Sequence, residues 1–155
     1  MKIAIVLSEF NDEISNNLLE GARTSFNNIL NEKDNSLELY RVPGAFEIPS
    51  AVKQLLKNKN NLDAIVTLGC VIKGETAHFE YISSSVTDSI SQISIDSDTN
   101  IPIIYGILTT YDYDQALERS NPLKKDKGGK VMEAAINTIK TFKDIQKTSW
   151  FLIEK

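Results

Sequence analysis

The stretch that decides the fold runs from Ala64 to Ile82 and reads AIVTLGCVIKGETAHFEYI. It opens with an apolar run, Ala64–Thr67, which is typical of a strand buried in a parallel sheet. The run breaks at Lys73–Glu75, after which apolar residues recur on roughly one face of a helix. A strand that ends in a glycine turn and leads into a helix exposes backbone N–H groups at the positive end of the helix dipole. Such a helix start suits an anion such as phosphate.

The only histidine of the chain, His78, lies in the first turn of this predicted helix. Histidine is the side chain that ordinarily titrates nearest neutral pH, so a proton-transfer group and an anion site fall within a few residues of each other. The alternative is a histidine that only caps or packs at the helix start. The turn Gly74–Thr76 either cradles a phosphate or is an ordinary helix entry. Taken alone, the second interpretation is favoured, because Thr76 as a cap and Glu75 near the helix dipole explain the turn without a ligand. No complete Walker or dinucleotide glycine pattern is present.

Strands and helices alternate along the rest of the chain. Strands are predicted at Ile3–Leu7, Leu37–Val42 and Ile101–Leu108, and helices at Ile14–Leu30, Pro49–Leu56, Gln115–Arg119 and Met132–Phe142. Between and after them lie a polar loop, a charged linker and an apolar tail, at Asn31–Ser36, Asn121–Gly129 and Trp150–Ile153. This order predicts an α/β protein, a three-layer α/β/α sandwich with a four-stranded parallel sheet. We expect one domain, residues 1–155.

Composition excludes several classes of partner. The formal net charge is −4, which provides no electrostatic footprint for nucleic acid or an acidic membrane. The first apolar run, Ile3–Leu7, is too short for a membrane span and lacks the flanks of a signal peptide. The single cysteine rules out an internal disulfide and fits a reducing compartment. One cysteine and one histidine are too few for a zinc site, so we expect no metal. The reducing compartment and the lack of signal-peptide flanks together predict a cytoplasmic protein.

The residues with chemical potential converge on one edge of the predicted sheet. Ligands of parallel α/β sheets bind beyond the carboxyl ends of the strands. The loops expected there hold Phe10-Asn11, Ala45–Glu47, Cys70–His78 and Thr109-Thr110. This convergence predicts a single ligand site.

Phe10 and Glu47 each admit two interpretations. Phe10 follows a strand between polar neighbours, so it either stacks on a planar heterocycle or packs as a staple over the next helix. Glu47 either binds sugar-like hydroxyls or complements the dipole of the following helix. The first helix itself is expected to be capped by Asn11 or Asp12.

Three further side chains favour a structural interpretation when taken alone. Arg119 and Lys127 are able to hold a phosphate and a ring carbonyl, but lone surface cations are usually solvated. Cys70 and His78 together invite a Cys–His nucleophile. Because Cys70 ends a buried strand, a small packed side chain is the favoured interpretation there.

Several blocks of the sequence resemble a known family. They are Phe10-Asn11, Val42–Pro49, Leu68–Tyr81, Gly106–Thr110, Gln115–Arg119 and Lys127-Gly128. In order and content these blocks resemble the 6,7-dimethyl-8-ribityllumazine synthases, and the match covers nearly the whole chain. The resemblance implies a flavodoxin-like fold and the penultimate step of riboflavin biosynthesis. In that step 5-amino-6-ribitylaminouracil condenses with 3,4-dihydroxy-2-butanone 4-phosphate, releasing phosphate and water without a metal or organic cofactor.

The resemblance also implies a set of substrate-binding residues within one subunit. They are Phe10, Asn11, Ala45, Phe46, Glu47, Cys70, Val71, Ile72, Gly74, Glu75 and Thr76. In this scheme Phe10 stacks on the pyrimidine, and Ala45–Glu47 contacts the ribityl chain. Val71 and Ile72 line the ring pocket, and the turn 74–76 donates hydrogen bonds to the phosphate.

His78 is implied as the catalytic residue, relaying protons as the imine forms and phosphate leaves. A neighbouring subunit is implied to supply the remaining groups. Arg119 completes the phosphate site, Tyr105 forms part of the pocket wall and Lys127 contacts the pyrimidine. The site would then exist only in a homo-oligomer.

The chain departs from the family pattern around these last residues. Ser120-Asn121 follows Arg119 where the family has Ala-Gly, and Asp126 precedes Lys127 where it has Asn. The linker also lacks the usual glycines and carries Pro122. Together with a sequence that starts at the first core strand, these departures favour a free pentamer over an icosahedral cage. A related riboflavin synthase and a flavin-binding or shell-forming relative without turnover remain alternative functions.

Overall fold

Within residues 1–30 and 33–151, which the computed structural model describes, four strands alternate with five α-helices. The strands are β1 (Lys2–Ser8), β2 (Ser36–Val42), β3 (Ala64–Ile72) and β4 (Ile103–Thr110). The helices are α1 (Asp12–Ile29), α2 (Ile48–Asn58), α3 (His78–Asp96), α4 (Tyr113–Ser120) and α5 (Lys127–Phe151). Side chains are described as far as residue 147, so the predicted apolar tail lies outside them.

The strands form one sheet in the order β2-β1-β3-β4, and every neighbouring pair is parallel. β1 is central: Ile3 pairs with Leu37 of β2 on one side and with Ala64 of β3 on the other. The sheet confirms the predicted four-stranded parallel arrangement. Its order places β1 and β3 side by side, so the loops that follow them meet at one edge.

Side chains alternate between the two faces of the sheet because the strand period is two. On β1, Ile5 and Leu7 pack with α1, α4 and α5, whereas Ala4 and Val6 pack with α2 and α3. Both clusters are formed by fully or nearly fully buried apolar side chains. Helices therefore cover both faces, which confirms the three-layer α/β/α sandwich of flavodoxin-like type.

Two strand predictions need correction at the carboxyl edge. β3 continues to Ile72, five residues past the apolar run that predicted it, so 70–72 belong to the strand rather than to the loop. β4 begins at Ile103, just after Pro102, and includes Thr109-Thr110, which were expected in a loop. The longer strands pair with each other as far as Ile72 and Thr110. Backbone pairing between neighbours thus extended both strands beyond their apolar cores.

The predicted linker is shorter than expected, because α5 begins at Lys127. Asp126 has a positive φ of 41°, and its Oδ1 accepts a hydrogen bond of 3.0 Å from the N–H of Gly129. A Cβ on Gly128 would lie 2.0 Å from the carbonyl oxygen of Leu18 in α1. The glycine pair is therefore part of a helix that crosses α1 at close range, and not a flexible connection.

Candidate active site

A groove of about 640 Å³ opens at the carboxyl edge of the sheet. Its lining comes from four places: the exit of β1, the turn before α2, the end of β3 and the start of α3. The lining residues are Phe10, Asn11, Gly44, Ala45, Phe46, Glu47, Cys70, Val71, Ile72, Gly74, Thr76, His78, Phe79 and Ile82. A smaller hollow of about 430 Å³ lies at the opposite edge, among residues such as Asp63 and Pro102, and contains none of the predicted site residues.

Most of the predicted site residues thus come together in the groove, but four do not line it. The side chain of Glu75 is exposed in the turn between two lining residues. Tyr105 lies in the middle of β4 against α3, with its hydroxyl 2.9 Å from Oγ1 of Thr87. Arg119 and Lys127 are exposed on α4 and α5, which cover the other face of the sheet.

Three lining residues were missed in the sequence. Gly44 belongs to the Pro-Gly turn, and its role as a lining residue follows only from the turn's position. Phe79 and Ile82 lie one and four residues after His78 on α3. Residues four apart share a helix face, so the spacing of His78 and Ile82 was a readable signal.

Two aromatic side chains face solvent at the groove, since Phe10 is 69% exposed and Phe46 is 57% exposed. The high exposure of Phe10 agrees with a ring that is available for stacking, and disagrees with one packed as a staple over α1. Beyond β1, the N–H of Phe10 donates to the carbonyl of Pro43 at 3.1 Å, which continues the pairing with the neighbouring strand. Backbone pairing therefore places Phe10 beside the Pro-Gly turn and leaves its ring free for a ligand.

Asn11 occupies the N-cap position of α1, but its side chain makes no capping hydrogen bond. Oδ1 of Asp12 instead accepts a hydrogen bond of 2.9 Å from the N–H of Glu13 in the first turn, so of the two predicted caps only Asp12 binds a helix N–H with its side chain. Asn11 adopts the left-handed conformation, with φ 59° and ψ 58°. Its side-chain amide turns away from the helix and donates a hydrogen bond of 3.2 Å to the carbonyl oxygen of Cys70. The side chain thereby joins the loop after β1 to the end of β3, two walls of the groove.

The carboxylate of Glu47 lies against the backbone of Gly44. A Cβ on Gly44 would come within 3.0 Å of Oε2 of Glu47, so a larger residue at 44 would push the carboxylate aside. Ala45–Glu47 forms a single 3₁₀ turn that leads directly into α2. This turn places one carboxylate among otherwise apolar neighbours, where it is able to accept hydrogen bonds from hydroxyl groups.

The turn from β3 into α3 leaves backbone donors open. The N–H of Lys73 donates to the carbonyl of Thr110 at 2.9 Å, which anchors the turn to β4. Oγ1 of Thr76 accepts a long bond of 3.4 Å from the N–H of His78, and α3 has no side-chain cap at Ala77. Gly74 has open space around the position of a Cβ and does not use a positive φ. This helix start is accessible and suited to an anion.

The electrostatics of the groove are asymmetric. Glu47 is the one carboxylate in the lining, and His78 is the one imidazole; among the residues that the structure describes, no lysine or arginine lines it. The described lining of the groove would therefore offer a phosphate at the start of α3 N–H and hydroxyl donors, but no permanent cation.

Cys70 closes the floor of the groove and is only 2% exposed. Burial raises the pKa of its thiol to about 12, and a hydrogen bond with Thr110 only partly opposes this effect. The thiolate, not the thiol, is the nucleophile. The structure therefore favours a packed cysteine over the Cys–His nucleophile.

A comparison with known protein families covers most of the chain. The family model described as 6,7-dimethyl-8-ribityllumazine synthase matches residues 1–143. That range includes all four strands, the residues that line the groove, and Arg119 and Lys127. The chain therefore belongs to the 6,7-dimethyl-8-ribityllumazine synthase family, transferases of riboflavin biosynthesis.

Proposed function

We propose that the groove at the carboxyl edge is the place where this enzyme joins its two substrates. Family membership establishes the reaction, the condensation of 5-amino-6-ribitylaminouracil with 3,4-dihydroxy-2-butanone 4-phosphate. The observation that carries the proposed site is the layout of the groove. Exposed aromatic rings and the Glu47 carboxylate lie beside an uncapped helix start that carries His78. The two halves match a polyhydroxylated heterocycle and a phosphate ester.

The proposed roles follow from that layout. The pyrimidine stacks on Phe10 at the exit of β1, and Glu47 accepts hydrogen bonds from the ribityl hydroxyls. Val71 and Ile72 form the apolar wall beneath the ring, and the backbone of 74–76 with the Thr76 hydroxyl receives the phosphate. Asn11, Ala45, Phe46 and Cys70 complete the contact surface around the heterocycle and its side chain.

The chemistry asks for positioning more than for a strong nucleophile. An amine and a ketone condense readily once they are held together, so orientation supplies much of the acceleration. Imine formation releases water. The elimination of phosphate breaks the C–O bond to the phosphate group, and a base must remove a proton from the neighbouring carbon in the same step. His78, beside the phosphate seat, relays these protons, and the start of α3 stabilises the departing anion. No metal or organic cofactor is needed for these steps.

We further propose that a neighbouring subunit completes the site, with the homopentamer as the assembly and a larger cage as the alternative. Among the residues that the structure describes, no lysine or arginine lines the groove, whereas Arg119 and Lys127 are exposed elsewhere on the subunit. A contact between these cations and the next groove joins two different surfaces, and such head-to-tail contacts form a ring when the rotation between subunits closes. Tyr105 would join them at the pocket wall.

The remaining proposals concern the cellular setting. We propose a single domain, residues 1–155, that acts in the cytoplasm on small molecules, without nucleic-acid or membrane partners. The family match over residues 1–143 supports the single domain. In the helices that the structure describes, none is both long enough and apolar enough to cross a bilayer.

The direct test mixes the two substrates with purified protein and follows the absorbance of the lumazine product. Acceleration over the uncatalysed mixture is expected, and its absence would reject the proposal. The riboflavin synthase alternative is tested in parallel by supplying lumazine and assaying for riboflavin, which should not form.

The shared site has its own test, the coexpression of His78→Ala and Arg119→Ala subunits. His78→Ala alone should be nearly inactive. Arg119→Ala alone should have low activity when the phosphoketone is kept well below its KM, because the loss in this variant falls mainly on KM. In random mixtures about one quarter of the interfaces would combine an intact groove with an intact Arg119, so activity should return to roughly that fraction. Mixed assemblies as inactive as the parents would show that each groove uses the Arg119 of its own subunit.

A further inference from the structure

Lys73 connects three elements around the turn that leads into α3. Its Nζ lies 3.3 Å from Oε1 of Glu80, in the first turn of α3, and 5.7 Å from the centre of the Tyr111 ring, just after β4. Its backbone N–H is bound to the carbonyl of Thr110. Lys73 therefore bridges the turn 74–77 through its backbone and its side chain, and it is not among the residues that line the groove.

Glu80 creates an electrostatic problem for an anion at this helix start. A carboxylate in the first turn is attracted to the same free N–H groups that would hold a phosphate. The pKa of Glu80 lies below its ordinary value, because its own backbone N–H and then the Lys73 ammonium donate to it. The carboxylate is therefore charged at neutral pH, and it lies in the first turn, beside the donors of the helix start. Uncompensated, this charge would compete with phosphate and repel it.

We propose that Lys73 is a positioning residue for the phosphate seat: it neutralises Glu80 and keeps that carboxylate off the remaining free donors of α3. The inference rests on the proposed function and deepens it, because it assigns a task to an ion pair outside the groove. The Lys73–Glu80 ion pair would favour a phosphorylated ketone over an unphosphorylated one, because only an anion binds more tightly when the Glu80 charge is neutralised.

Tyr111 supports this arrangement from the β4 side. Its ring lies under the Lys73 ammonium, at a distance typical of a cation–π contact. The same ring packs against Phe79, with centres 6.5 Å apart, and Phe79 lines the groove. Tyr111 thus limits the positions open to the Lys73 side chain and ties it to the wall of the site.

The test is a double-mutant cycle with Lys73→Met, Glu80→Gln and the combined variant. Two quantities are measured: KM for the phosphoketone, and the Kd of inorganic phosphate by titration calorimetry. Lys73→Met should raise both by up to about fivefold, the range of an exposed ion pair, with kcat unchanged. Glu80→Gln should leave both near the wild-type value. The combined variant should also return to within about twofold of the wild type.

The control is Lys147→Met, which breaks an exposed ion pair with Asp144 near the end of α5, far from the groove. It should change neither KM nor Kd. Thermal unfolding and particle mass, measured for every variant, separate a local effect from a loss of folding or assembly. Tyr111→Leu should shift phosphate binding in the same direction as Lys73→Met, but less.

Two outcomes would overturn the inference. If Lys73→Met leaves phosphate binding unchanged, the ion pair has no task at the site. If the combined variant stays as weak as Lys73→Met alone, Lys73 acts on the phosphate itself and not through Glu80. The calorimetric arm needs no turnover, so it decides the inference even if the protein forms no lumazine. A protein that binds phosphate but forms no lumazine would refute the proposed function and leave the inference about Lys73 testable. A wild-type protein that binds no phosphate would refute the phosphate site at the start of α3.

Discussion

The side-chain amide of Asn11 donates a hydrogen bond of 3.2 Å to the backbone carbonyl of Cys70, 59 residues further along the chain. Asn11 is also one of two non-glycine residues with a positive φ in the part of the chain that the structure describes. Asparagine tolerates this left-handed conformation better than most residues. The backbone of Asn11 thus sets the turn into α1, and its side chain holds the loop that carries Phe10 at a fixed distance from Cys70 in the floor of the groove.

Two substitutions at Asn11 separate these contributions. Asn11→Gly keeps the left-handed backbone but removes the hydrogen bond, which should lower the free energy of unfolding by about 1 kcal/mol and raise KM for the pyrimidine. Asn11→Ala should cost about 1 kcal/mol more, because alanine disfavours a positive φ. Urea unfolding and steady-state kinetics measure both. Equal stability of the two variants would show that the backbone conformation is not strained.

His78 and Arg119 should affect different kinetic parameters. His78→Ala removes the proposed proton relay and should lower kcat on the order of 100-fold, with little change in KM. Arg119→Ala removes a cation from the phosphate and should mainly raise KM for the phosphoketone, by about tenfold or more. Steady-state kinetics with each substrate varied in turn provide the comparison. Small and equal effects from both variants would argue against these roles.

Glu38 should make stability depend on acid pH. Hydrogen bonds from Lys2 and Tyr40 lower the pKa of its carboxyl to about 2. Because this folded-state pKa is depressed, the stabilisation is complete above the unfolded-state pKa, from about pH 5 upward, and is lost as the pH falls toward 2. The difference in unfolding free energy between wild type and Glu38→Gln should shrink over that window. Glu118→Gln, which breaks a single exposed ion pair with Lys125, is the control and should show a much smaller change.

Two glycines should respond oppositely to the same substitution. Gly128→Ala places a Cβ 2.0 Å from the carbonyl oxygen of Leu18, so α1 and α5 must separate, at a cost of about 3 kcal/mol or more. Gly74→Ala places its Cβ in open space, and the free energy of unfolding should change by less than about 1 kcal/mol. Thermal or urea unfolding of the two variants tests the pair. A stable Gly128→Ala protein would mean that the helix crossing is looser than described.

Cys70 should resist alkylation in the folded protein. Its thiol is buried and its pKa is raised to about 12, so the reactive thiolate is scarce at pH 8 and becomes abundant only as the pH approaches 12. Mass spectrometry after iodoacetamide treatment at pH 8 should show no adduct, and full labelling in urea. Rapid labelling of the folded protein would contradict the burial and reopen a nucleophilic role.

Local pattern was enough for much of this architecture. Continuous apolar runs identified β1, β3 and β4, and the two central strands, β1 and β3, are buried along most of their length. The alternation of Leu37 and Leu39 identified β2, an edge strand that is only partly buried. The rule that ligands bind beyond the carboxyl ends of parallel strands then brought Phe10, Glu47 and His78 together. Element ends were less accurate, as at Ile72 and Lys127, because partner strands and crossing helices decide them.

What the sequence by itself determined is the order of elements, the family and the position of the histidine at a helix start, since each depends on residue types and spacings along the chain. Tertiary structure alone decided that the Asn11 side chain turns from α1 to β3. It also turned two expectations from the sequence into observations, the burial of Cys70 and the position of Arg119 and Lys127 away from their own groove. These facts depend on distances between segments far apart in sequence. Such distances are set by how the sheet orders its strands and how closely α1 and α5 cross, which no local pattern encodes.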